Sequence, residues 1–341
     1  MKTLLGVLGL TMKTLLGVLG LLWLGSTAGY ADGYLWLSSA RNTGTPQLYR
    51  FNLRTNQIDR TVAPAQVNGV PLSSDYAPFA YDGSVLYVGA YDQSLFARVE
   101  AYTGDFLQVG AYSWCSCFFG HHGMRDGAFA NGELWRSAPP HDPASGYSVL
   151  VITDTTGVPT GMLYTFARNF ALTGLEWING ELYGTGSGRF ARIVRDAENE
   201  WLFHVVDYTL SGIPSDHQLG GLAYAPEAQK LYLATASQTQ SALWEVLVDD
   251  SQQTASATLV VALHEKGYPV GAMPTALAWV PAVPGDVNGD GCTDDADLLM
   301  VLFQFGSDDP IADWNRDGIV DDADLLEVLF QFGQGCHEPH G

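Results

Sequence analysis

Short apolar runs alternate with polar turns through residues 32–281, and one pattern returns there without repeating its letters. A strand-like run leads into a turn, and a second run carrying Leu-Tyr or Leu-Trp follows. The instances are Pro78-Phe-Ala-Tyr-Asp-Gly-Ser-Val-Leu-Tyr87, Ala128-Phe-Ala-Asn-Gly-Glu-Leu-Trp135, Leu175-Glu-Trp-Ile-Asn-Gly-Glu-Leu-Tyr183 and Leu222-Ala-Tyr-Ala-Pro-Glu-Ala-Gln-Lys-Leu-Tyr232. Asn-Gly and Asp-Gly between apolar runs predict β-hairpins, because these residues accept the positive φ of a tight hairpin turn. Two further strand-like runs follow each hairpin, such as 94–100 with 106–109 and 242–248 with 257–263.

Four strands per unit, with units starting near residues 77, 127, 173, 220 and 275, give a period of about 46–55 residues. Such a period with four strands per unit predicts an all-β propeller. The fifth unit, Thr275-Ala-Leu-Ala-Trp-Val280, has a first strand and no second; Gly33-Tyr-Leu-Trp-Leu-Ser38 is a second strand with no first. Joined, they complete one blade from both ends of the domain and hide sheet edges that would invite aggregation. The expectation is therefore five blades. Six is the alternative if a further blade hides in 111–170, and an open β-sandwich is the alternative architecture. The region resembles extracellular propellers of the kelch, quinoprotein-like and gluconolactonase-like kinds in general pattern, without a Gly-His…Trp-Asp or Gly-Gly kelch signature.

After a short stiff linker at 282–285, the pattern changes. Residues 286–306 and 313–333 align at an offset of 27, with 16 of 21 positions identical. Each copy places oxygen-bearing side chains at positions 1, 3, 5, 9 and 12 of a twelve-residue loop: Asp286, Asn288, Asp290, Asp294 and Asp297, then Asp313, Asn315, Asp317, Asp321 and Asp324. Gly291 and Gly318 stand at position 6, where the loop must turn sharply, and Cys292 and Ile319 offer the position-7 carbonyl. Ca²⁺ takes six to eight oxygens in flexible geometry, so the pattern predicts two Ca²⁺ ions; Mg²⁺ demands a tighter octahedron. The apolar runs after each loop, Leu298-Leu-Met-Val-Leu-Phe303 and Leu325-Leu-Glu-Val-Leu-Phe330, predict two helices that need burial.

This tail (286–337) resembles a type I dockerin: a duplicated calcium loop followed by a helix, with Asp at position 12 and no helix before either loop. The resemblance implies a small all-α domain that folds with calcium and docks onto a cohesin-like or cell-surface partner. Two departures bear on the partner. Loop positions 10 and 11 carry Asp295, Ala296, Asp322 and Ala323 where dockerins usually carry hydroxyl residues, and the helices hold no Lys or Arg.

Charge adds to this picture. The chain has 16 basic and 37 acidic residues, a net charge of −21. Residues 285–341 alone hold 14 acidic residues and only Arg316 as a base. So acidic a chain repels nucleic-acid backbones and anionic membranes, whereas the concentrated acid of the tail calls for a cation. At the other end, MKTLLGVLGL occurs at 1–10 and again at 12–21, and an apolar run then ends in Gly25-Ser-Thr-Ala28. Residues 1–31 read as a secretory signal peptide, cleaved after Ala28 or Ala31, with 1–11 a duplicated or upstream start. No other segment suits a membrane span. The expected location is secreted or cell-surface.

Export makes Cys292 with Cys336, and Cys115 with Cys117, the expected disulfide pairs. The run Trp114-Cys-Ser-Cys-Phe-Phe-Gly-His-His122 also has ligand types for a transition metal. Loops between blades gather His121, His122, Asp126, Asp216, His217 and His264 as a candidate site at the propeller mouth. Two function classes follow. One is a binding or assembly protein whose propeller presents a face to a glycan or protein while the tail docks it. The other is a carbohydrate-active hydrolase or lyase with a propeller catalytic domain carried by a dockerin, for which no acid–base pair stands out in the sequence.

Overall fold

The computed structural model describes residues 32–38, 47–63, 66–67, 70–71, 76–90, 95–111, 126–138, 148–165 and 170–336. The leader at 1–31, with Cys115, Cys117, His121 and His122, lies outside the described residues.

The described chain begins with β1 (Gly33–Leu37), β2 (Leu48–Asn52) and β3 (Gln57–Val62), then a small hairpin of β4 (Gln66–Val67) and β5 (Val70–Pro71). A first meander follows: β6 (Tyr76–Tyr81), β7 (Val85–Ala90), β8 (Leu95–Glu100) and β9 (Phe106–Ala111). A second runs through β10 (Gly127–Ala130), β11 (Glu133–Ala138), β12 (Ser148–Thr153) and β13 (Pro159–Thr165). The third is β14 (Leu172–Ile178), β15 (Glu181–Gly186), β16 (Arg189–Arg195) and β17 (Phe203–Ser211). The fourth is β18 (Gln218–Ala225), β19 (Lys230–Ala236), β20 (Ser241–Asp249) and β21 (Thr254–Ala262). After a 3₁₀ turn at Leu263–Lys266 comes β22 (Leu277–Pro281).

Each meander is antiparallel, and the outer strands β17 and β21 also pair in parallel from Thr209 with Thr254 to Ser211 with Ser256. The hairpin turns form where the sequence predicts them. Asn131-Gly132 and Asn179-Gly180 hold positive φ at both residues (54° and 81°, 51° and 87°), the backbone of a two-residue type I′ turn. The Gly-rich run at 184–188 is likewise the end of β15 and a turn at Ser187-Gly188.

The two ends of the region join as the sequence predicts. β22 pairs antiparallel with β1, Gly33 opposite Pro281 through Leu37 opposite Leu277, to complete a four-stranded sheet in the order β22-β1-β2-β3. The first strands of the sheets then touch in a closed circuit: β22 beside β6, β6 beside β10, β10 beside β14, β14 beside β18, and β18 beside β22. The arrangement is propeller-like.

The cores lie between successive sheets. Trp36, Leu86, Val88 and Val99 form one, Leu150, Phe170, Leu175 and Ile193 another, and Phe190, Leu222, Leu233 and Val246 a third. Strands buried on both faces read as apolar throughout, which is why β1 (Gly-Tyr-Leu-Trp-Leu) is buried at every position.

The tail holds α1 (Asp295–Phe303) and α2 (Asp322–Phe330) around a core of Val287, Val301, Ala312, Val320 and Val328. Each helix starts with a capping box. Asp294 and Asp321 accept the N–H of Ala296 and Ala323, while Asp297 and Asp324 accept the N–H of the capping residue. Cys292 and Cys336 form a disulfide across a sequence separation of 44. A closure of that length adds about 4 kcal/mol by restricting the unfolded chain.

From Asp32 onward the sheets and the tail make one compact unit. The segment at 282–285 is packed rather than free: Ala282 donates its N–H to the Asp32 carbonyl, and Val283 and Gly285 are buried. Arginines of the β2–β3 hairpin hold the tail. Arg50, wholly buried, pairs with Asp59 (2.8 Å), lies over the Tyr34 ring and donates to the Gly289 carbonyl at 2.7 Å. Arg54 lies over the Trp314 ring (4.2 Å) and donates to the carbonyls of Pro310 and Asp313.

Trp36 supports both the first core and the turn before β9. It is fully buried, and its indole N–H donates to the Ala101 carbonyl at 2.7 Å. We predict that Trp36→Ala costs about 3–5 kcal/mol through the cavity and the orphaned carbonyl. Urea denaturation measures this, and a cost under ~1 kcal/mol would contradict it.

Candidate functional site

Two places bring functional groups together: the duplicated acidic loops and the centre of the sheet ring.

In the first loop, backbone N–H groups converge on the end carboxylates. Asp286 accepts from Gly289 (2.8 Å), Asp290 (3.1 Å) and Gly291 (2.8 Å). Asp297 accepts from Val287 (2.7 Å), Asn288 (2.9 Å) and Asp294 (2.9 Å). The second loop repeats the scheme, with Asp313 accepting from Asp317 and Gly318, and Asp324 from Asn315 and Asp321. Gly291 takes φ +94°, and a Cβ there would stand 2.4 Å from the Tyr102 ring, so the sharp turn and the close approach both require glycine.

Burial, with the charges of Asp297 and Asp290 adding to it, pushes the Asp286 carboxyl up to about 7. Asp297 is raised by burial as well. The loop thus concentrates negative charge that water cannot solvate, which a proton or a metal ion relieves. The donor set fits Ca²⁺ in kind: carboxylate and amide oxygens with a backbone carbonyl at position 7. As they stand, the carboxylates face backbone N–H groups. Among the described residues no three His, Cys, Asp or Glu side chains gather closely enough to hold an ion.

Beyond the loops, the duplicated helices leave matched apolar residues in solvent: Leu299, Leu302, Phe303 and Phe305, and at the same offset Leu326, Leu329, Phe330 and Phe332. Phe303 is 83% exposed and Phe330 78%. Two equivalent apolar faces on one small module suit a protein partner.

At the hairpin ends of the first strands lies a cavity of about 500 Å³. All five of those strands line it, with Tyr81, Phe129, Trp177, Tyr224 and Trp279 as its aromatic residues and Glu176 and Glu227 as its carboxyls. Glu176 accepts the N–H of Trp177 (2.8 Å) and, across to the next sheet, of Tyr224 (3.0 Å). Asp126 does the same further along: one carboxyl oxygen accepts the N–H of both Leu175 and Leu222, each at 3.0 Å. These N–H groups belong to β14 and β18, whose channel edges have no neighbouring strand.

Burial holds the Asp126 carboxyl well above the usual range, opposed by its N–H partners and reinforced by Glu176. Its other oxygen is buried without a hydrogen bond. Glu176 is pushed up to about 8 by burial, again against the pull of its N–H partners.

The residues expected at the propeller mouth take separate places. Asp126 is fully buried inside the ring. His217 is buried, its Nδ1 2.8 Å from the Thr235 hydroxyl and its ring edge-on to Trp244. His264 lies on the 3₁₀ turn with Nδ1 beside Ser241, and Asp216 is exposed. Among the described residues the hydrogen bonds of Asp126, His217 and His264 run to other partners, not to one another. Sequence reasoning missed Glu176, although a signal was present: in the aligned hairpins its position holds Phe79 and Ala128.

No protein-family model and no curated protein matches the chain. Solved structures resemble it in fold. The Dos1 propeller is 12% identical with a TM-score of 0.35, over 67% of this chain and 62% of that one. A glutaminyl cyclase from Myxococcus xanthus is 14% identical with a TM-score of 0.35, over 58% and 88%. A chain of a nidogen/laminin complex is 10% identical with a TM-score of 0.42, over 72% and 97%. The likeness reaches no further than the fold.

Glu176 carries a pH dependence of known sign. Its pKa rises from an ordinary 4.5 to about 8 on folding, so the folded state holds a proton that the unfolded chain has released. The stability it contributes is complete below pH 4.5 and lost as pH rises through about 8. Glu176→Gln cannot ionise and is expected to gain on the natural protein from about pH 5 to pH 8 and then level off, measured by urea denaturation with chelator present. Parallel pH profiles would refute this assignment.

Proposed function

We propose that the chain is an exported binding and assembly protein, built as a five-bladed β-propeller that carries a dockerin-like module for two Ca²⁺ ions. The supporting observation is the duplication itself: two loops with the same donors in the same hydrogen-bonded frame, each leading into a helix with the same exposed apolar face. One four-stranded meander in 126–165 and the shared sheet β22-β1-β2-β3 support the five-blade reading. Asp286, Asn288, Asp290, the Cys292 carbonyl, Asp294 and Asp297 would hold one ion. Asp313, Asn315, Asp317, the Ile319 carbonyl, Asp321 and Asp324 would hold the other. Each ion would supply charge neutralisation that backbone N–H groups alone leave incomplete. The helices then face a cohesin-like or other cell-surface protein, and the propeller offers a face to a glycan or protein.

A second reading has its own support. Glu176 lines the channel cavity, and burial raises both it and the enclosed Asp126, to which the Glu176 charge adds; a carboxyl raised in this way stays protonated near neutral pH. On that reading the propeller is a carbohydrate-active hydrolase or lyase. A panel of polysaccharides with the natural protein and Glu176→Gln decides it: turnover lost in the variant supports the enzyme, and no turnover by the natural protein removes it.

Calorimetric titration of the intact chain tests the first reading. Two Ca²⁺ per chain are expected, falling to one in Asp286→Ala and in Asp313→Ala. At free calcium a hundred times the dissociation constant, each site adds about 2.7 kcal/mol to stability. Affinity in the first loop should tighten as pH rises through about 7, where the Asp286 proton stops competing. No uptake at millimolar calcium ends the proposal.

A further inference from the structure

We propose that the cavity at the hairpin end of the channel binds a small organic ammonium cation. The inference rests on the channel alone and stands apart from the calcium reading. A volume of about 500 Å³ falls in the range of small-molecule sites. Tyr81, Trp177, Tyr224 and Trp279 line it together with Glu176 and Glu227, and no Lys, Arg or His is among its described lining residues. Aromatic faces and the Glu227 carboxylate both attract positive charge, Glu176 adding its own once it ionises, and an ammonium carrying alkyl groups satisfies rings and charge at once.

The walls are set in advance. Trp177 meets Trp135 edge-on at 5.3 Å, and Trp279 stacks on Tyr232 at 6.2 Å. The Trp279 indole N–H is tied to Glu227 at 3.2 Å. Rings held this way lose little freedom when a ligand arrives.

Competing ligands fit less well. Anions meet two carboxyls on a chain of net charge −21. A hard metal ion wants six to eight oxygens. Here Glu176, Glu227 and the Asn179 amide are the side chains with carboxyl or amide oxygens, among aromatic rings. A neutral sugar could stack on the rings but would draw nothing from the charge.

Calorimetric titration of the intact protein with choline, and with 3,3-dimethylbutan-1-ol as its uncharged isostere, tests the proposal. Choline should bind at one saturable site, about tenfold or more tighter than the isostere. Glu227 is exposed at the rim, so Glu227→Gln should keep the fold and weaken choline about three- to tenfold. Glu176, which burial keeps protonated up to about pH 8, should contribute only above that, so Glu176→Gln should weaken choline at pH 9 and leave it unchanged at pH 6. The proposal is overturned if choline fails to saturate by about 50 mM. Equal binding of the isostere, tighter binding of glucose, or unchanged choline affinity in both variants overturns it too.

Discussion

The antiparallel pairing of β22 with β1 is the constraint on which the rest depends. It joins the two ends of the sheet region in one register, so the last strand of the region becomes an inner strand of the first sheet. That placement puts Trp279 in the wall of the channel cavity and Ala278 and Val280 in the core with Trp36. It also fixes where the tail begins, because Ala282 bonds to Asp32 directly beyond the pairing. A slip of one residue would turn every side chain of β22 to the opposite face. The channel, a core and the tail's anchorage would fail together.

A ring of sheets leaves the inner edge of each first strand without a partner, and unpaired N–H groups in a narrow channel are costly. Asp126 and Glu176 meet part of that cost by reaching from one sheet to the N–H groups of the next. These bonds explain why two carboxyls are tolerated in so enclosed a place. They do not require both oxygens: one oxygen of Asp126 takes two N–H groups and leaves the other with none. The scaffold and any chemistry in the channel thus draw on the same side chains, and a ligand there would act on ring stability as well.

Much of this was legible in the residues. Asn-Gly turns announce their hairpins because few other pairs accept two consecutive positive φ values, and Asn131-Gly132 and Asn179-Gly180 adopt them. The lone first strand near 277 and the lone second strand near 33 predicted their own union. The internal repeat of the tail marked both helices, which begin three residues ahead of the apolar runs, at Asp295 and Asp322. What stayed hidden depends on the third dimension. Glu176 sits in a run that reads as an ordinary strand, and only the ring tells which edge faces the channel. Polar loop residues such as Asp216, His217 and His264 looked like a cluster because chain order cannot show that each finds a local partner or open water. The tail's seat on the β2–β3 hairpin was equally unreadable, since nothing in chain order pairs Arg50 and Arg54 with Gly289 and Asp313 more than 200 residues away.

The choice of atoms at that seat matters for how the tail can work. Arg50 and Arg54 are positive groups beside the most acidic part of the chain, yet they spend their N–H donors there on the backbone carbonyls of Gly289, Pro310 and Asp313. The carboxylates at positions 1 and 12 of each loop are engaged by backbone N–H groups instead. Had the guanidinium groups paired with those carboxylates, a cation entering the loop would have to break the tail's contact with the sheets. With the carbonyls as acceptors, anchorage leaves the loop carboxylates unoccupied by the arginines, so an ion bound as proposed would use different atoms of the same loops. The helices keep Phe303 and Phe330 in solvent, so attachment to the ring leaves these apolar side chains uncovered.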